Sequence, residues 1–414
     1  MVRVATPANL LAAFGRVRAN GGAPGIDGMT VDDLERWLPA NLDALGLALR
    51  SGTYRPQPVR GVEIPKASGG KRLLGIPTVT DRLVQQALLQ VLEPYLEPCF
   101  SPSSFGFRPG RSAHQAVRQA QRYIQEGFGY VVDLDLEKFF DRVNHDVLMA
   151  RLARRIGDKG LLRLVRRFLE AGMMVGGLVS PRVLGTPQGG PLSPLLANVL
   201  LDDLDRELER RGHRFCRYAD DCNVFVRTPA AAERVLASLP GFLEKRLKLT
   251  VNREKSAAAP ASERQFLGYT VMEDGKLAAS ARSLARLRDR IREMTRRGRG
   301  LPLARVIADL NGYLRGWCGY FRLIEVRFPL ADLDGWLRRR LRCYRLNQAK
   351  TTSGIARLLM RCGLTRKRAR QTAVSRCGWW RLARVPNVHH AMNNRWFRQL
   401  GLIGLVPRMP ALPD

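Results

Sequence analysis

Two aspartates, Asp220 and Asp221, stand next to each other between two apolar runs, residues 215–218 and 224–226. Apolar runs on both sides of so short a break read as a β-hairpin, with the acidic pair at its tip. Adjacent carboxylates repel, and burying them without a partner is costly. A solvated turn satisfies such a pair, and so does a shared divalent cation. Magnesium takes a few carboxylates together with phosphate oxygens and water. Tyr130-Val-Val-Asp-Leu-Asp-Leu136 reads as another strand, and its period of two puts Asp133 and Asp135 on one face. Asp135 is then a candidate third ligand beside Asp220 and Asp221. Two metal ions roughly 4 Å apart would activate an attacking 3′-hydroxyl and stabilise a leaving pyrophosphate.

The flanking patterns mix strands and helices without a regular βαβ alternation, which points to an α+β core. Residues 63–77 read as a hairpin around Gly69-Gly70, and residues 1–60 as short helices around a Gly-rich loop at 20–28. Val84, Leu88, Val91, Leu92 and Tyr95 recur at helical spacing after Asp81, a candidate cap. A second helix follows Ser112, with Ala116, Val117, Ala120 and Ile124 as its stripe. Ser193 caps a third, Pro194 opens its first turn and Gly212 closes it. From residue 281 the texture changes to helical, arginine-rich segments. The expected domains are 1–60, 61–280, 281–349 and 350–414.

Charge separates along the same line. The chain carries 69 Lys+Arg against 37 Asp+Glu, and residues 281–414 alone hold 30 and 7, or +23 of the net +32. Such a region suits a polyanion, nucleic acid ahead of an anionic membrane surface. No stretch approaches the ~18 apolar residues of a spanning helix, and the N-terminus lacks the apolar core of a secretory signal. A cytoplasmic protein without membrane contact is expected. Seven scattered cysteines with no C-x-x-C pair argue against disulfides and zinc modules.

Asp135-Leu-Glu-Lys-Phe-Phe-Asp141, Gly185-Thr-Pro-Gln-Gly-Gly-Pro-Leu-Ser-Pro194 and Tyr218-Ala-Asp-Asp221, in that order, resemble the palm motifs of reverse transcriptases. Lys71-Arg-Leu-Leu-Gly-Ile-Pro77 and Ser101-Pro-Ser-Ser-Phe-Gly-Phe-Arg-Pro-Gly110 resemble the fingers blocks, and residues 249–255 and Phe266-Leu-Gly-Tyr269 the late palm blocks. Within that family the chain is most similar to bacterial group II intron-encoded reverse transcriptase/maturases. Leu310-Asn-Gly-Tyr-Leu-Arg-Gly-Trp-Cys-Gly-Tyr-Phe-Arg322 resembles their thumb, the maturase or X domain. Gly378-Trp-Trp-Arg-Leu382 and Asn394-Arg-Trp-Phe-Arg-Gln-Leu-Gly-Leu402 resemble the tail that follows.

The resemblance implies a right-hand polymerase: α+β fingers and palm, an α-helical thumb at 281–349 and a basic nucleic-acid-binding extension at 350–414. It implies RNA-directed DNA synthesis with two Mg²⁺ ions and deoxynucleoside triphosphates, Asp135, Asp220 and Asp221 being the catalytic, metal-binding carboxylates. Lys66 and Arg72 match residues that contact the triphosphate, Phe140 the position that excludes a ribose 2′-hydroxyl, and Gln188 a residue beside the nascent pair. Ile26, in a lid-like loop, Arg108, Phe266, Gly268 and Tyr269 match template- and primer-binding positions. The implied partners are intron RNA, an RNA template with a DNA primer, and target DNA. No His-Asn-His endonuclease is expected, which resembles the compact IIC class. Tyr313, Trp317 and Tyr320 fit either base stacking or core packing. Arg338, Arg339, Arg340, Arg342, Arg345 and the run at 366–370 are expected on phosphates. Two other roles stay open: a domesticated enzyme of DNA repair, CRISPR adaptation or phage defence, and a catalytically dead splicing factor.

Overall fold

The computed structural model describes residues 1–65, 70–175, 177–180, 184–186, 189–375 and 377–406. The chain divides into two compact units, Met1–Arg264 and Gln265–Asp414. Their mixed α and β content bears out the expected fold class.

The first unit is built on two four-stranded sheets. One holds β1 (Val59–Pro65) and β2 (Lys71–Ile76), an antiparallel pair with Ile64 opposite Arg72. The other centres on β3 (Tyr130–Leu134). The first sheet is completed by β4 (Met173–Val175), parallel to β1, and β5 (Leu178–Ser180). The second runs β6 (Arg214–Tyr218), β7 (Asp221–Val226), β3 and β8 (Ala257–Pro260), all antiparallel. Val132, Leu134, Cys222 and Val224 turn one face of it into the core, against Leu196, Leu200 and Leu204 of the helix Ser193–Arg210. The opposite alternation leaves Asp133 and Asp135 on the other face, as the period of two requires.

Helix boundaries follow local chemistry, with two departures from expectation. The helix Val79–Leu96 is capped by Thr78, whose hydroxyl accepts from the Asp81 amide at 3.0 Å, and not by Asp81. Asp81 is buried instead and accepts from Tyr54 Oη at 2.7 Å, Thr78 Oγ1 at 2.8 Å and the Gln57 amide at 3.1 Å. A threonine three residues ahead reaches the free amide first, which frees the aspartate for the tertiary contact. Ser193 is the first helical residue, not the cap; Leu192 holds that place without a side-chain bond. The expected helix after Ser112 spans Ala113–Gln125, and Ser112 caps it in a reciprocal box with Gln115.

What joins sheet to helix in this unit is Arg217, fully buried on β6. Its fork meets Asp205 at 2.6 and 2.7 Å, Asn198 Oδ1 at 2.9 Å, Ser104 Oγ at 2.8 Å and the Ala219 carbonyl at 2.9 Å. All five donors of a guanidinium are thereby used.

The second unit is helical apart from the short hairpin of β9 (Tyr269–Val271) and β10 (Leu277–Ala279). Leu287 and Ile291 of the helix Ala281–Met294, Leu310 and Leu314 of Leu303–Tyr320, and Leu337 and Leu341 of Phe328–Ala349 form one core. Leu346, Ile355, Leu359, Ala369 and Met392 form a second. All seven cysteines are free. No helix among the described residues is long and apolar enough to cross a membrane.

Breaking a buried ion pair from one side leaves an uncompensated charge, at a cost of about 3–5 kcal/mol. Asp205→Ala is therefore expected to destabilise the first unit by about that amount, read as a lower urea midpoint.

Candidate active site

Tyr218 pairs with Asp221 across the β6–β7 ladder, so Ala219 and Asp220 form the turn. Ala219 sits in the left-handed region at φ +59°, a strained place for an L-residue with a Cβ. Two things hold it there. The Ala219 carbonyl accepts from buried Arg217, and Gly106 lies directly beneath the turn. A Cβ on Gly106 would stand 2.3 Å from the Ala219 nitrogen and 2.8 Å from the Tyr218 carbonyl carbon. The Gly106 carbonyl in turn accepts from Asn198 at 2.9 Å.

Asp135 reaches the same place from β3. Leu134 is opposite Cys222, so the next step of the register sets Asp135 beside Asp221. Its backbone is tied to the segment before β8: its amide donates to Ser256 Oγ at 2.9 Å, and its carbonyl accepts from the Asn252 amide at 2.8 Å. Its carboxylate has Lys255 Nζ at 3.9 Å.

This end of the sheet is electrostatically overloaded. Burial, and then the carboxylates of Asp133, Asp220 and Asp135, push the Asp221 carboxyl up to about 7. Burial pushes Asp133 up to about 6, with Arg264 opposing and Asp135 adding. Hard oxygen donors with excess negative charge suit a divalent cation such as magnesium, which is held by one or two carboxylates plus substrate phosphates. Among the described residues no three acidic, His or Cys side chains already form a closed ligand group. The donor set fits a cation shared with a substrate better than a closed protein cage.

A cavity of about 610 Å³ is lined by Phe107, the neighbour of Gly106, together with Phe140, Gly189, Gly190, Leu74 and Arg82 among others. Phe107 lies 6.3 Å from the Tyr218 ring, centroid to centroid. Asn20 and Gly21 line it too. There Arg82 donates to the carbonyls of Gly21 at 3.0 Å and Ala23 at 2.9 Å, fixing the Gly-rich loop that carries half-buried Ile26. Gly25 is required in this loop, since a Cβ would meet the Thr78 Cα at 2.6 Å. Arg72 belongs to β2, but its side chain lies outside the described structure, and Lys66 and Gln188 lie outside the described residues.

Arg108, expected at a template contact, is buried: its Nη2 and Nε lie 2.7 and 2.9 Å from Glu97 Oε1, and Nη1 donates to the carbonyls of Ser101 and Ser104 at 2.5 and 2.7 Å. In this structure its donors are used within the fold. In the second unit Phe266 and Tyr269 are buried, and the Tyr269 hydroxyl donates to the Tyr320 carbonyl. Gly268, at φ +81°, contacts Ser283 and Phe321 where a side chain would stand. Leu267, Gly268, Arg286, Tyr313, Trp317 and Tyr320 line a separate cavity of about 410 Å³. Tyr313 and Trp317 pack against the core, and Tyr320 is partly exposed, with its hydroxyl donating to the Leu267 carbonyl at 2.9 Å.

The arginines of Phe328–Ala349 are less available to phosphate than expected. Arg342 is buried against the Met392 carbonyl at 2.9 Å, Arg338 meets Asp334 at 2.5 Å, and Arg340 donates to Thr295 Oγ1 at 2.6 Å. Arg366, Lys367, Arg368 and Arg370 are exposed. Sequence reasoning missed Arg217, Asp205, Asn198, Gly106 and Ser256. Only the glycine beside the expected Phe107-Arg108 block carried any local signal.

A hairpin tip with clustered carboxylates near such a cavity has the chemistry that metal-dependent nucleotidyl transfer uses. Residues 64–271 match the family model described as Reverse transcriptase (RNA-dependent DNA polymerase), and residues 284–363 match Group II intron, maturase-specific domain. The chain belongs to the reverse transcriptase family and carries that maturase domain. It is 35% identical to Protein YkfC of Escherichia coli (strain K12), over 66% of this chain and 82% of that one. It is 28% identical to the Group II intron-encoded protein LtrA of Lactococcus lactis subsp. cremoris, over 75% of this chain and 68% of that one. Among solved structures, a partial Cas6-RT-Cas1–Cas2 complex shares 29% identity over 58% of this chain and 42% of that chain, with a TM-score of 0.38. The chain is thus an RNA-directed DNA polymerase, an enzyme class that works on deoxynucleoside triphosphates with a divalent metal, and its maturase domain implies binding of intron RNA.

Two outcomes follow from the turn. Gly106→Ala is expected to displace Ala219 and lower single-turnover nucleotide addition by about 10²-fold, the cost of a misplacement near 1 Å, whereas Ala219→Gly keeps the activity. Asp221→Asn removes one repelling charge. It is expected to abolish addition while raising the thermal midpoint in divalent-free buffer by about 2–4 °C, the effect of ~1 kcal/mol.

Proposed function

We propose that the chain is the protein of a bacterial group II intron of the IIC class, copying RNA into DNA and promoting splicing and retrohoming of its parent intron. The observation that carries the catalytic half is the convergence of Asp135, on β3, with Asp220 and Asp221, on the β6–β7 turn, next to the cavity lined by Phe140. The maturase-specific match and the exposed cations at 366–370 support the RNA-binding half.

In this reading Asp135, Asp220 and Asp221 hold two Mg²⁺ ions. These would supply charge neutralisation at the attacking 3′-oxygen and the leaving pyrophosphate. The chain's own groups orient the reactants. Lys66 and Arg72 neutralise the triphosphate, an arrangement that favours the charge developing on transfer. The Phe140 ring fills the space a ribose 2′-hydroxyl would need, and Gln188 lies beside the nascent pair. Lys255, close to Asp135, tempers the negative field when no substrate is bound. The loop carrying Ile26, fixed by Arg82, covers the template, while Phe266, Gly268 and Tyr269 support the primer strand. Residues 1–60 act as N-terminal extension and lid, 61–280 as fingers and palm, 281–349 as thumb, and 350–414 as a basic extension gripping intron RNA or target DNA. The likeness to the protein named LtrA, a group II intron-encoded protein, favours the intron over a domesticated role.

Primer extension on poly(rA)/oligo(dT) with Mg²⁺ is expected from the wild-type protein and absent from Asp220→Ala. Activity surviving that substitution would remove the metal assignment. Splicing of the flanking intron at low Mg²⁺ is expected to accelerate on adding the protein, and equally with Asp220→Ala, because RNA binding does not use the carboxylates. A splicing rate unchanged across low and high Mg²⁺ would end the maturase half.

A further inference from the structure

His145 opens the helix His145–Ala153 and is 3% exposed. Its Nε2 lies 2.7 Å from the Gly185 carbonyl oxygen. A carbonyl only accepts, so Nε2 carries the proton. Gly185 stands at the centre of a seam between residues 140–144 and 184–186. Its amide donates to the Val143 carbonyl at 2.8 Å, the Thr186 amide donates to the Phe140 carbonyl at 2.7 Å, and Asn144 bridges Leu184. The seam is close: at φ +88°, a Cβ on Gly185 would lie 2.9 Å from the carbonyl oxygens of both Phe140 and Asp141. The Thr186 hydroxyl is buried and has no hydrogen-bond partner among the described residues. The grip on Phe140 therefore runs through the backbone of 185–186, and His145 is a side chain that fastens it.

Phe140 is the ring whose placement this seam controls. It is half-buried, lies edge-on to buried Phe139 at 5.1 Å, and lines the 610 Å³ cavity together with Gly189 and Gly190. We propose that His145 is a positioning residue for sugar selection: by holding the Gly185 carbonyl it sets the seam, and the seam sets how closely the Phe140 ring approaches the 2′ position of the incoming nucleotide. The proposal rests on Phe140 being the residue that excludes the 2′-hydroxyl. A steric filter for one oxygen depends on ring position at a fraction of its own radius, because close-packed neighbours transmit small shifts. An imidazole, planar and locked at two torsions, is a stiff fastener for that purpose.

The test is the ratio of kcat/KM for dCTP over CTP in single additions to a primer on an RNA template whose next base is guanine. His145→Leu, which lacks the donor, and His145→Asn, whose amide stops short of Gly185, are each expected to lower that ratio about tenfold or more, the scale set by one misfit group in a pocket. His145→Gln, whose amide reaches a similar point, retains most of it. A purely structural role would lower both nucleotides together and leave the ratio unchanged in folded protein, which overturns the proposal. Phe140→Ala separates the two layers. If it leaves the ratio intact, the assignment of Phe140 itself fails; if it collapses the ratio while His145→Leu and His145→Asn do not, only the role of His145 fails. Should neither His145 variant give folded protein by circular dichroism, His145 belongs to the scaffold and the proposal falls.

Discussion

The catalytic end of this protein depends on one ion pair that never meets substrate. Arg217 and Asp205 are both wholly buried, and an isolated charge there would be prohibitive. The bidentate geometry and three further acceptors make the burial tolerable. Because one of those acceptors is the Ala219 carbonyl, the same guanidinium that joins β6 to the helix Ser193–Arg210 also holds the turn before Asp220 in its left-handed conformation. Asn198 closes the arrangement by bonding both Arg217 and the Gly106 carbonyl under the turn. The scaffold and the active-site turn are in this sense a single polar network, and such networks hold their geometry only when every member is satisfied.

Electrostatics explains why so basic a chain keeps an acidic centre. Burial, and then the neighbouring carboxylates, push Asp221 up, burial pushes Asp133 up, and Lys255 lies beside Asp135. A site so arranged is poised for multivalent cations and repels bare polyanions, so nucleic acid is expected to approach it with its counterions. Much of the positive excess belongs to the second unit, where part of it is consumed internally: Arg342 and Arg338 serve the helix packing, and Arg339 stacks 3.9 Å over the Trp380 ring. Net charge therefore overstates the surface available for binding.

Much of the fold was legible because it was written in short-range chemistry. The period of two at Asp133 and Asp135, the apolar stripe of the helix after Ser112 and the helical texture from residue 281 all need only neighbours to be read. The acidic hairpin was legible for the same reason. What escaped was long-range. Arg217 looked like one more arginine among many, and nothing near it says that Asp205, twelve residues earlier, faces it across a helix–sheet junction. Arg108 shows the same limit: its motif suggests a template contact, and nothing local says that Glu97 and two carbonyls take its donors in the fold. Asp81 and Ser193 were displaced from their expected caps because a neighbouring residue reached the free amides, or entered the helix, first.

The second unit closes upon itself late in the chain. Phe397, Leu402 and Leu405 belong to the same core as Leu287 and Leu310. Asn311 bonds the Gly401 carbonyl at 2.7 Å and the Ile403 amide at 3.0 Å, and Asp334 accepts from the Leu405 amide at 3.2 Å. The helix Leu303–Tyr320 thus waits for partners synthesised some hundred residues later. At translation rates of about 5–20 residues per second that wait lasts about 5–20 s. For that interval the apolar surface that Phe397, Leu402 and Leu405 come to cover stays open on the nascent helices, so the last core residues made are the ones that seal it.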